Sequence, residues 1–209
     1  YNIGHRLKFF GWFEKRIVNK VDLLVCTNQE RGELMKKHYR LNDNPLVVRN
    51  ISQLTTCFEI EDNVLKERLN EFFVKPGLTL VYAGVVTKTR QIDKLLDVAV
   101  ELLPSYKLLI IGDGGYLEEL KCEVEKYPSL TCMCTGALPY RVLGSVLRRC
   151  DVGYVYYPVD SYNNIYCASN KVYEYASISL PMLSNRNPTL VKIFESAGIG
   201  VACEDYKLG

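Results

Sequence analysis

Short runs of apolar residues alternate with amphipathic segments along most of the chain. The apolar runs are rich in Val, Ile, Leu and Tyr, and they predict strands that are buried on both faces of a sheet. They lie at residues 21–27, 45–50, 78–84, 106–112, 129–136, 151–157, 180–185 and 198–204. Between them, apolar residues recur three or four positions apart, which is the spacing of a helix with one buried face. These helices are predicted at about 6–20, 29–40, 91–103, 115–127, 140–150, 170–177 and 189–197.

Regular alternation of strand and helix predicts an α/β fold, a Rossmann-like parallel sheet with helices on both faces. Ligands of such sheets bind beyond the carboxyl ends of the strands, in the loops that lead into the helices. Functional residues are therefore expected directly after Thr27, Gly84, Gly112, Gly136, Tyr157 and Asn185.

The alternation is interrupted once, at residues 51–77. This segment has no apolar strand run, carries many charges and ends in Pro76-Gly77. We interpret it as a linker followed by a helix. Residues 1–50 are too few for a core of their own and are interpreted as the end of an incomplete N-terminal domain, whereas 78–209 suffice for a complete Rossmann-like domain.

Composition and charge narrow the classes of function. The chain has 209 residues, of which 48% are hydrophobic and 24% charged, with a net charge of +2. These values are typical of a globular domain and argue against nucleic acid as the main partner. The sequence has no apolar run long enough for a transmembrane span, and it starts at Tyr1 without a signal-peptide pattern, so we expect a fragment of a cytoplasmic protein.

The eight cysteines do not indicate a metal site. Only Cys132 and Cys134 are close in sequence, and structural zinc sites need a second cysteine pair or histidines. The two histidines, His5 and His38, are far from them. We expect reduced thiols and no metal.

The segment 164–185, NIYCASNKVYEYASISLPMLSN, carries the strongest functional signal. It predicts a polar loop, a helix and then a strand entered through Pro181. Ser169 or Asn170 can cap the helix, whose free amides together with Lys171 would attract a phosphate. Glu174 lies one turn further on, where a carboxylate could bind sugar hydroxyls. A solvated amphipathic helix is the alternative interpretation.

Two turns that contain glycine follow the strands predicted at 78–84 and 106–112. The loop after Gly84 carries Lys88 and Arg90 ahead of a predicted helix, and a guanidinium can bind phosphate through two hydrogen bonds. The alternative is a solvated basic turn. The second turn, 110–120, lacks the G-x-G-x-x-G spacing of a dinucleotide site and is interpreted as structural.

Taken together, these motifs resemble those of group 1 (retaining, GT-B fold) glycosyltransferases. The segment SNKVYEYASISLPM is similar to the donor-site signature of that family, and the strand at 78–84 with its basic loop is similar to the family's diphosphate loop. Residues 1–50, with VDLLVCTN and PLVVRN, resemble the end of the family's N-terminal domain. The resemblance covers nearly the whole chain and implies that it is the donor-binding half of such an enzyme.

The resemblance implies a set of donor-binding residues. They are Gly84, Lys88, Arg90, Gly136, Ala137, Leu138, Asn164, Tyr166, Ser169, Asn170, Lys171 and Glu174. Gly136, Ala137 and Leu138 would contact the nucleobase through the main chain. The chain departs from the family pattern twice, since Val85 replaces an arginine and Tyr166 replaces the first of two glutamates. Lys88 could restore the missing charge.

The implied activity is transfer of a sugar from a UDP- or GDP-linked donor to a hydroxyl acceptor, with retention and without a metal or other cofactor. The acceptor would be a polysaccharide or a lipid-linked molecule in bacterial surface assembly, bound through the missing N-terminal domain at the inner face of the membrane. This fragment alone is expected to bind donor without turnover. Two alternatives remain: a non-hydrolysing sugar-nucleotide epimerase of GT-B fold, and a non-catalytic Rossmann-like binding module.

Overall fold

The structure is a computed structural model that describes residues 3–52, 54 and 58–204, with side chains from residue 10 onward. Its contacts divide the chain into two compact units, Tyr1–Asn50 and Ile51–Gly209, called unit 1 and unit 2 below. Parts of the segment interpreted as a linker, residues 53 and 55–57, lie outside the described residues.

Unit 1 is a small α/β element. It contains helix α1 (Ile3–Ile17), a 3-10 turn (Val18–Lys20), strand β1 (Val25–Cys26), helix α2 (Gln29–Tyr39) and strand β2 (Leu46–Val47). The two strands pair in parallel, as the apolar runs predict, but each is only two residues long. In the described part of the chain, these two strands form a sheet of their own.

Unit 2 contains the remaining elements, which alternate as predicted. In chain order they are α3 (Asn63–Val74), β3 (Leu78–Ala83), a 3-10 turn (Lys88–Arg90), α4 (Ile92–Glu101), β4 (Tyr106–Ile111), α5 (Leu117–Glu125), β5 (Cys132–Gly136), α6 (Tyr140–Leu147), β6 (Val152–Val155), α7 (Tyr162–Ile165), α8 (Asn170–Ser177), β7 (Met182–Asn185), α9 (Pro188–Ala197) and β8 (Gly200–Cys203). Each of the strand runs predicted from the sequence contains one of these strands or one of the two in unit 1.

The strands of unit 2 form one six-stranded sheet in the order β5-β4-β3-β6-β7-β8, and all neighbours are parallel. From β3 the chain moves outward through β4 to β5, then returns to β6 beside β3 and moves outward in the other direction. The strand order reverses between β3 and β6, and the region beyond the carboxyl ends of these two strands, called the crevice below, is where Rossmann-like sheets bind ligands.

Alternate residues of the central strand β3 enter two separate cores. In β3, Leu80 and Tyr82 pack with α4 and α5 on one face. Val81 and Ala83 pack on the other face with α3, α6, α8 and α9. The sheet is therefore covered by helices on both faces, and this confirms the predicted fold class.

A buried lysine near the amino end of β4 attaches helix α3 to the sheet. Lys107 in β4 is only 3% exposed, and its Nζ donates to the carbonyl oxygens of Phe72 (3.3 Å), Phe73 (3.0 Å) and Lys75 (2.6 Å). These carbonyls are at the C-terminal end of α3, where helices leave acceptors unpaired. Helix α3, in the segment 51–77, is thereby attached to the sheet.

Two further predictions concern thiols and membranes. The seven cysteines that the structure describes are free, while Cys57 lies outside the described residues. Cys132 and Cys134 both pack on the core formed with α4 and α5, as expected for alternate residues of a strand. In the described part of the chain, no helix has the length and apolarity needed to cross a bilayer.

Candidate functional site

The floor of the crevice consists of three glycine turns in contact with one another. The amide of Gly84 donates to the Ile111 carbonyl at 2.8 Å, and the amide of Gly112 donates to the Gly136 carbonyl at 2.8 Å. Gly112 has a φ of +142°, and a Cβ on it would collide with the Gly84 carbonyl. Glycine is required there because the two turns are in direct contact. The turn at 112–115 is therefore structural, as the sequence indicates.

Helix α8 is anchored to the end of β3 by Tyr175. This side chain is completely buried, and its hydroxyl accepts a hydrogen bond from the amide of Ala83 at 3.1 Å. Gly153 leaves the space for its ring, because a Cβ at that position would lie 2.5 Å from a ring carbon. Tyr175, which no motif in the sequence identifies, fixes α8 beside the loop after β3.

Lys171, in the first turn of α8, lies against Gly84. A Cβ on Gly84 would lie 2.5 Å from both Cε and Nζ of Lys171, so the absence of a side chain makes room for the lysine. Nζ is 5.5 Å from the ring centroid of Tyr82. Burial and, to a smaller extent, the nearby charge of Arg90 lower the pKa of Lys171 to about 8, while Glu174 opposes the shift.

Glu174 is half-buried one turn after Lys171. Burial raises its pKa, and the ammonium of Lys171 partly offsets that shift. Among the residues that the structure describes, neither the Glu174 carboxylate nor the Lys171 ammonium makes a hydrogen bond or a salt bridge. The same carboxylate helps to raise the pKa of Tyr140, an exposed tyrosine at the start of α6 whose shift comes first from burial.

Arg90 connects the loops that follow β3 and β6. Its Nη1 donates to the Tyr156 carbonyl at 2.9 Å, and its guanidinium carbon lies 4.2 Å from the ring centroid of Tyr157. Burial raises the pKa of Tyr82 to about 12, although the Arg90 charge opposes this shift. The structure thus brings Arg90, Lys171 and Glu174 together at the crevice, as the sequence predicts.

Lys88 has other contacts. Its Nζ lies 2.7 Å from Oε1 of Glu119 in α5 and 5.3 Å from the ring centroid of Tyr116. The carboxylate of Glu119 raises the pKa of Lys88. These contacts direct Lys88 toward α5, and its role in place of the missing arginine stays a prediction.

The amino end of α8 differs in one respect from the expected cap. Ser169 holds the N-cap position, but its side chain makes no capping bond. Its Oγ is buried and has no partner among the described residues, and the residue is only 4% exposed. Asn170, half-buried, starts the helix. The first amides of α8 are thus left without a side-chain acceptor from Ser169.

The loop after β5 is open to solvent. Gly136 adopts a φ of +75°, and a Cβ on it would meet no atom within 4 Å. Ala137 is exposed, and Leu138 packs partly on the core beneath. This loop can therefore present main-chain groups to a ligand, and its contact with a base stays a prediction.

The loop between β6 and α8 contains Asn164 and Tyr166. The Nδ2 of Asn164 donates to Asp160 at 2.7 Å, and the ring of Tyr166 stacks on Tyr162 with centroids 6.1 Å apart. Residues that sequence reasoning missed, Asn185, Asn187 and Thr189, hold this loop from below. No local sequence pattern identifies them, because the residues that they bind are more than twenty positions away in the chain.

No protein-family model matches the chain, and no curated protein matches it by sequence. Solved structures do match. WaaG, a glycosyltransferase involved in lipopolysaccharide biosynthesis, superposes with a TM-score of 0.68 and 14% identity, covering 98% of this chain and 56% of WaaG. The fold is that of the GT-B glycosyltransferases.

Two further GT-B structures agree. HepE from Anabaena, solved in complex with UDP and glucose, has a TM-score of 0.61 and 11% identity over 87% of this chain and 49% of HepE. Sucrose-phosphate synthase from Thermosynechococcus elongatus has a TM-score of 0.62 and 16% identity over 91% of this chain and 47% of that protein. The chain spans about half the length of the GT-B structures it matches.

Proposed function

We propose that the crevice of unit 2 binds the nucleoside-diphosphate part of a sugar donor, and that the chain is the donor-binding half of a retaining glycosyltransferase. The observation that carries this proposal is the pair of charges on α8. Lys171 and Glu174 are half-buried without a salt bridge among the described residues, and they lie beside Arg90 where the strand order reverses. Holding unpaired charges away from water costs free energy, which a charged ligand would recover.

Each group has a place in this interaction. Within the described residues, Arg90 uses one N–H and one ring contact, so most of its donors would be left for phosphate oxygens. The Lys171 ammonium and the amides at the start of α8 supply further positive charge. When the bond to the sugar breaks, the charge that develops on the diphosphate would be stabilised by these groups, with no metal required.

Glu174 would complete the donor site on the ribose side of the diphosphate. A carboxylate accepts two hydrogen bonds at once, which matches the two neighbouring hydroxyls of a ribose. The open turn at Gly136, Ala137 and Leu138 would bind the base through main-chain groups. Asn164, Tyr166, Ser169 and Asn170 line the remaining edge of the proposed site.

For the whole enzyme we infer transfer of a sugar to a hydroxyl of a polysaccharide or lipid-linked acceptor in bacterial surface assembly, at the cytoplasmic side of the membrane. Two of the matched proteins support this: WaaG acts in lipopolysaccharide biosynthesis, and HepE was solved with UDP-glucose. The acceptor would be bound by the part of the enzyme that precedes this chain, so the chain alone is expected to bind donor without turnover.

Calorimetric titration of the chain with UDP, GDP, ADP and CDP, and with the matching monophosphates, tests the proposal. We expect one diphosphate to bind and its monophosphate to bind at least about tenfold more weakly, because a phosphate held by charged groups is lost. Absence of binding to every nucleoside diphosphate would favour the non-catalytic module. Slow conversion of a bound sugar nucleotide to its epimer would favour the epimerase.

A further inference from the structure

The main chain at Tyr157 is held by side chains from the carboxyl end of β7 and the start of α9. The Nδ2 of Asn185 donates to the Tyr157 carbonyl at 2.9 Å, and the Oδ1 of Asn185 accepts from the Tyr157 amide at 3.3 Å. Strand β6 ends at Val155, so the side-chain amide of Asn185 continues the pairing of β6 with β7 for two residues beyond the sheet.

Asn187 donates a second side-chain hydrogen bond to the Tyr157 carbonyl. It is completely buried, and its Nδ2 donates to the carbonyl oxygens of Asn164 at 2.9 Å and of Tyr157 at 3.4 Å. Its Oδ1 accepts from the amides of Thr189 and Leu190 and so caps α9. All four hydrogen-bonding positions of this amide are used, which leaves it a single orientation.

Tyr157 in turn determines where Arg90 lies. The guanidinium stacks on the Tyr157 ring and donates to the carbonyl of the preceding residue, Tyr156. Both contacts depend on the path of the main chain at 156–157. Tyr156 is held in the core by its buried side chain, whereas Tyr157 lies beyond the hydrogen bonds of the sheet, and among the described residues its amide and carbonyl are bound by the two asparagines.

We propose that Asn185 and Asn187 are positioning residues that fix the main chain at Tyr157 and thereby hold the Arg90 guanidinium at the anion site. The inference rests on the proposed function for its consequence, which is diphosphate affinity. The placement of Arg90 itself can be measured without any ligand.

Thr189 provides a matched control. It is 3% exposed and its Oγ1 donates to the Ile165 carbonyl at 2.7 Å, so it holds the same loop but does not touch Tyr157 through this bond. Thr189→Val and Asn185→Ala each remove buried hydrogen bonds to this loop. Both variants are expected to melt at a lower temperature than the parent, and only the asparagine variant should affect Arg90.

The first measurement is NMR of the arginine Nε–H signals, assigned with Arg90→Ala. We expect a restricted Arg90 signal in the parent and in Thr189→Val, and a motionally averaged one in Asn185→Ala. An Arg90 signal that stays restricted in Asn185→Ala overturns the inference. If Asn185→Ala does not fold, Asn185→Ser replaces it, because the shorter side chain cannot bridge both main-chain groups of Tyr157.

The second measurement is calorimetry with UDP or whichever diphosphate binds the parent, and with the corresponding nucleoside. In Asn185→Ala we expect diphosphate affinity to fall about tenfold and nucleoside affinity to stay within about twofold. In the Arg90→Ala background, Asn185→Ala should cause no further loss. An equal loss for both ligands, or an undiminished further loss without Arg90, contradicts the inference. If Arg90 becomes mobile in Asn185→Ala and diphosphate affinity is unchanged, Asn185 does position Arg90, but Arg90 does not bind the diphosphate.

Discussion

Two lysines of unit 2 lie at opposite ends of the same sheet and differ in what surrounds their charge. Lys107, at the amino end of β4, donates to three main-chain carbonyls. Lys171, near the carboxyl ends, makes no hydrogen bond or salt bridge to a described residue. Burial lowers the pKa of both, although Asp151 opposes the shift for Lys107.

The comparison distinguishes a cation used for folding from one available to a ligand. The three acceptors of Lys107 replace the water that it loses on burial, so its charge stabilises the attachment of α3. Lys171 loses water without such replacement, and only a charged partner from outside can supply it. The two lysines should therefore respond in opposite ways when the charge is removed.

The largest effect is expected for the structural lysine. Lys107→Met leaves the carbonyls of Phe72, Phe73 and Lys75 without their donor, and we expect the free energy of unfolding to fall by about 3 kcal/mol or more. Urea denaturation of the parent and the variant measures this. Diphosphate affinity of the folded variant should be unchanged, and a stability loss below about 1 kcal/mol would contradict the structural role.

Lys171→Met is the reciprocal experiment. We expect diphosphate binding to weaken by about 1.5–3 kcal/mol, the range for hydrogen bonds to charged groups, in the calorimetric titration used for the parent. Stability should not fall and is expected to rise, because among the described residues the ammonium has no partner that offsets the cost of its burial, a cost that Met does not carry. A variant that is strongly destabilised and still binds the ligand normally would reverse the assignment of the two lysines.

The pH dependence of binding should follow the lowered pKa of Lys171. The ligand needs the charged ammonium, whose pKa is about 8 in the free protein, so affinity should be level just below pH 8 and fall up to about tenfold per pH unit above it. The free energy of unfolding should change with pH in the opposite direction to affinity. The lysine of the unfolded chain keeps its proton to about pH 10.5, whereas that of the folded chain loses it near pH 8, so the contribution of Lys171 to stability increases from about pH 8 upward.

Calorimetry between pH 7 and 10 measures this dependence, and Lys171→Arg is the control because arginine stays charged throughout. The arginine variant should show a flatter profile. An identical decline in both proteins would assign the titration to another group.

A smaller effect is expected at Gly84. In Gly84→Ala, the new Cβ would lie 2.5 Å from Cε and Nζ of Lys171, so the flexible end of the lysine must move. We expect diphosphate affinity to fall by about 1 kcal/mol, less than for Lys171→Met because the charge remains nearby. In the Lys171→Met background the same change should have a smaller effect on binding, and an equal effect would show that Gly84 acts independently of the lysine.

Much of the fold followed from the sequence because buried parallel strands are nearly continuous apolar runs. The positions of Arg90, Lys171 and Glu174 could also be predicted, since each follows a recognisable strand or starts a helix. The contacts of Lys88 could not, because an exposed lysine takes its partner from a neighbouring helix, here Glu119. The roles of Tyr175 and Asn187 depend on contacts far apart in sequence, which no local pattern encodes.

The most direct test of the central claim compares Glu174→Gln with the parent, using the nucleoside diphosphate that binds best and its 2′-deoxy analogue. If the carboxylate accepts from both ribose hydroxyls, the substitution should weaken binding of the ribonucleotide by about 1.5–3 kcal/mol and that of the deoxy analogue much less. An equal change for both ligands, measured by calorimetry under the same salt conditions, would contradict a ribose-binding role for Glu174 and with it the proposed donor site.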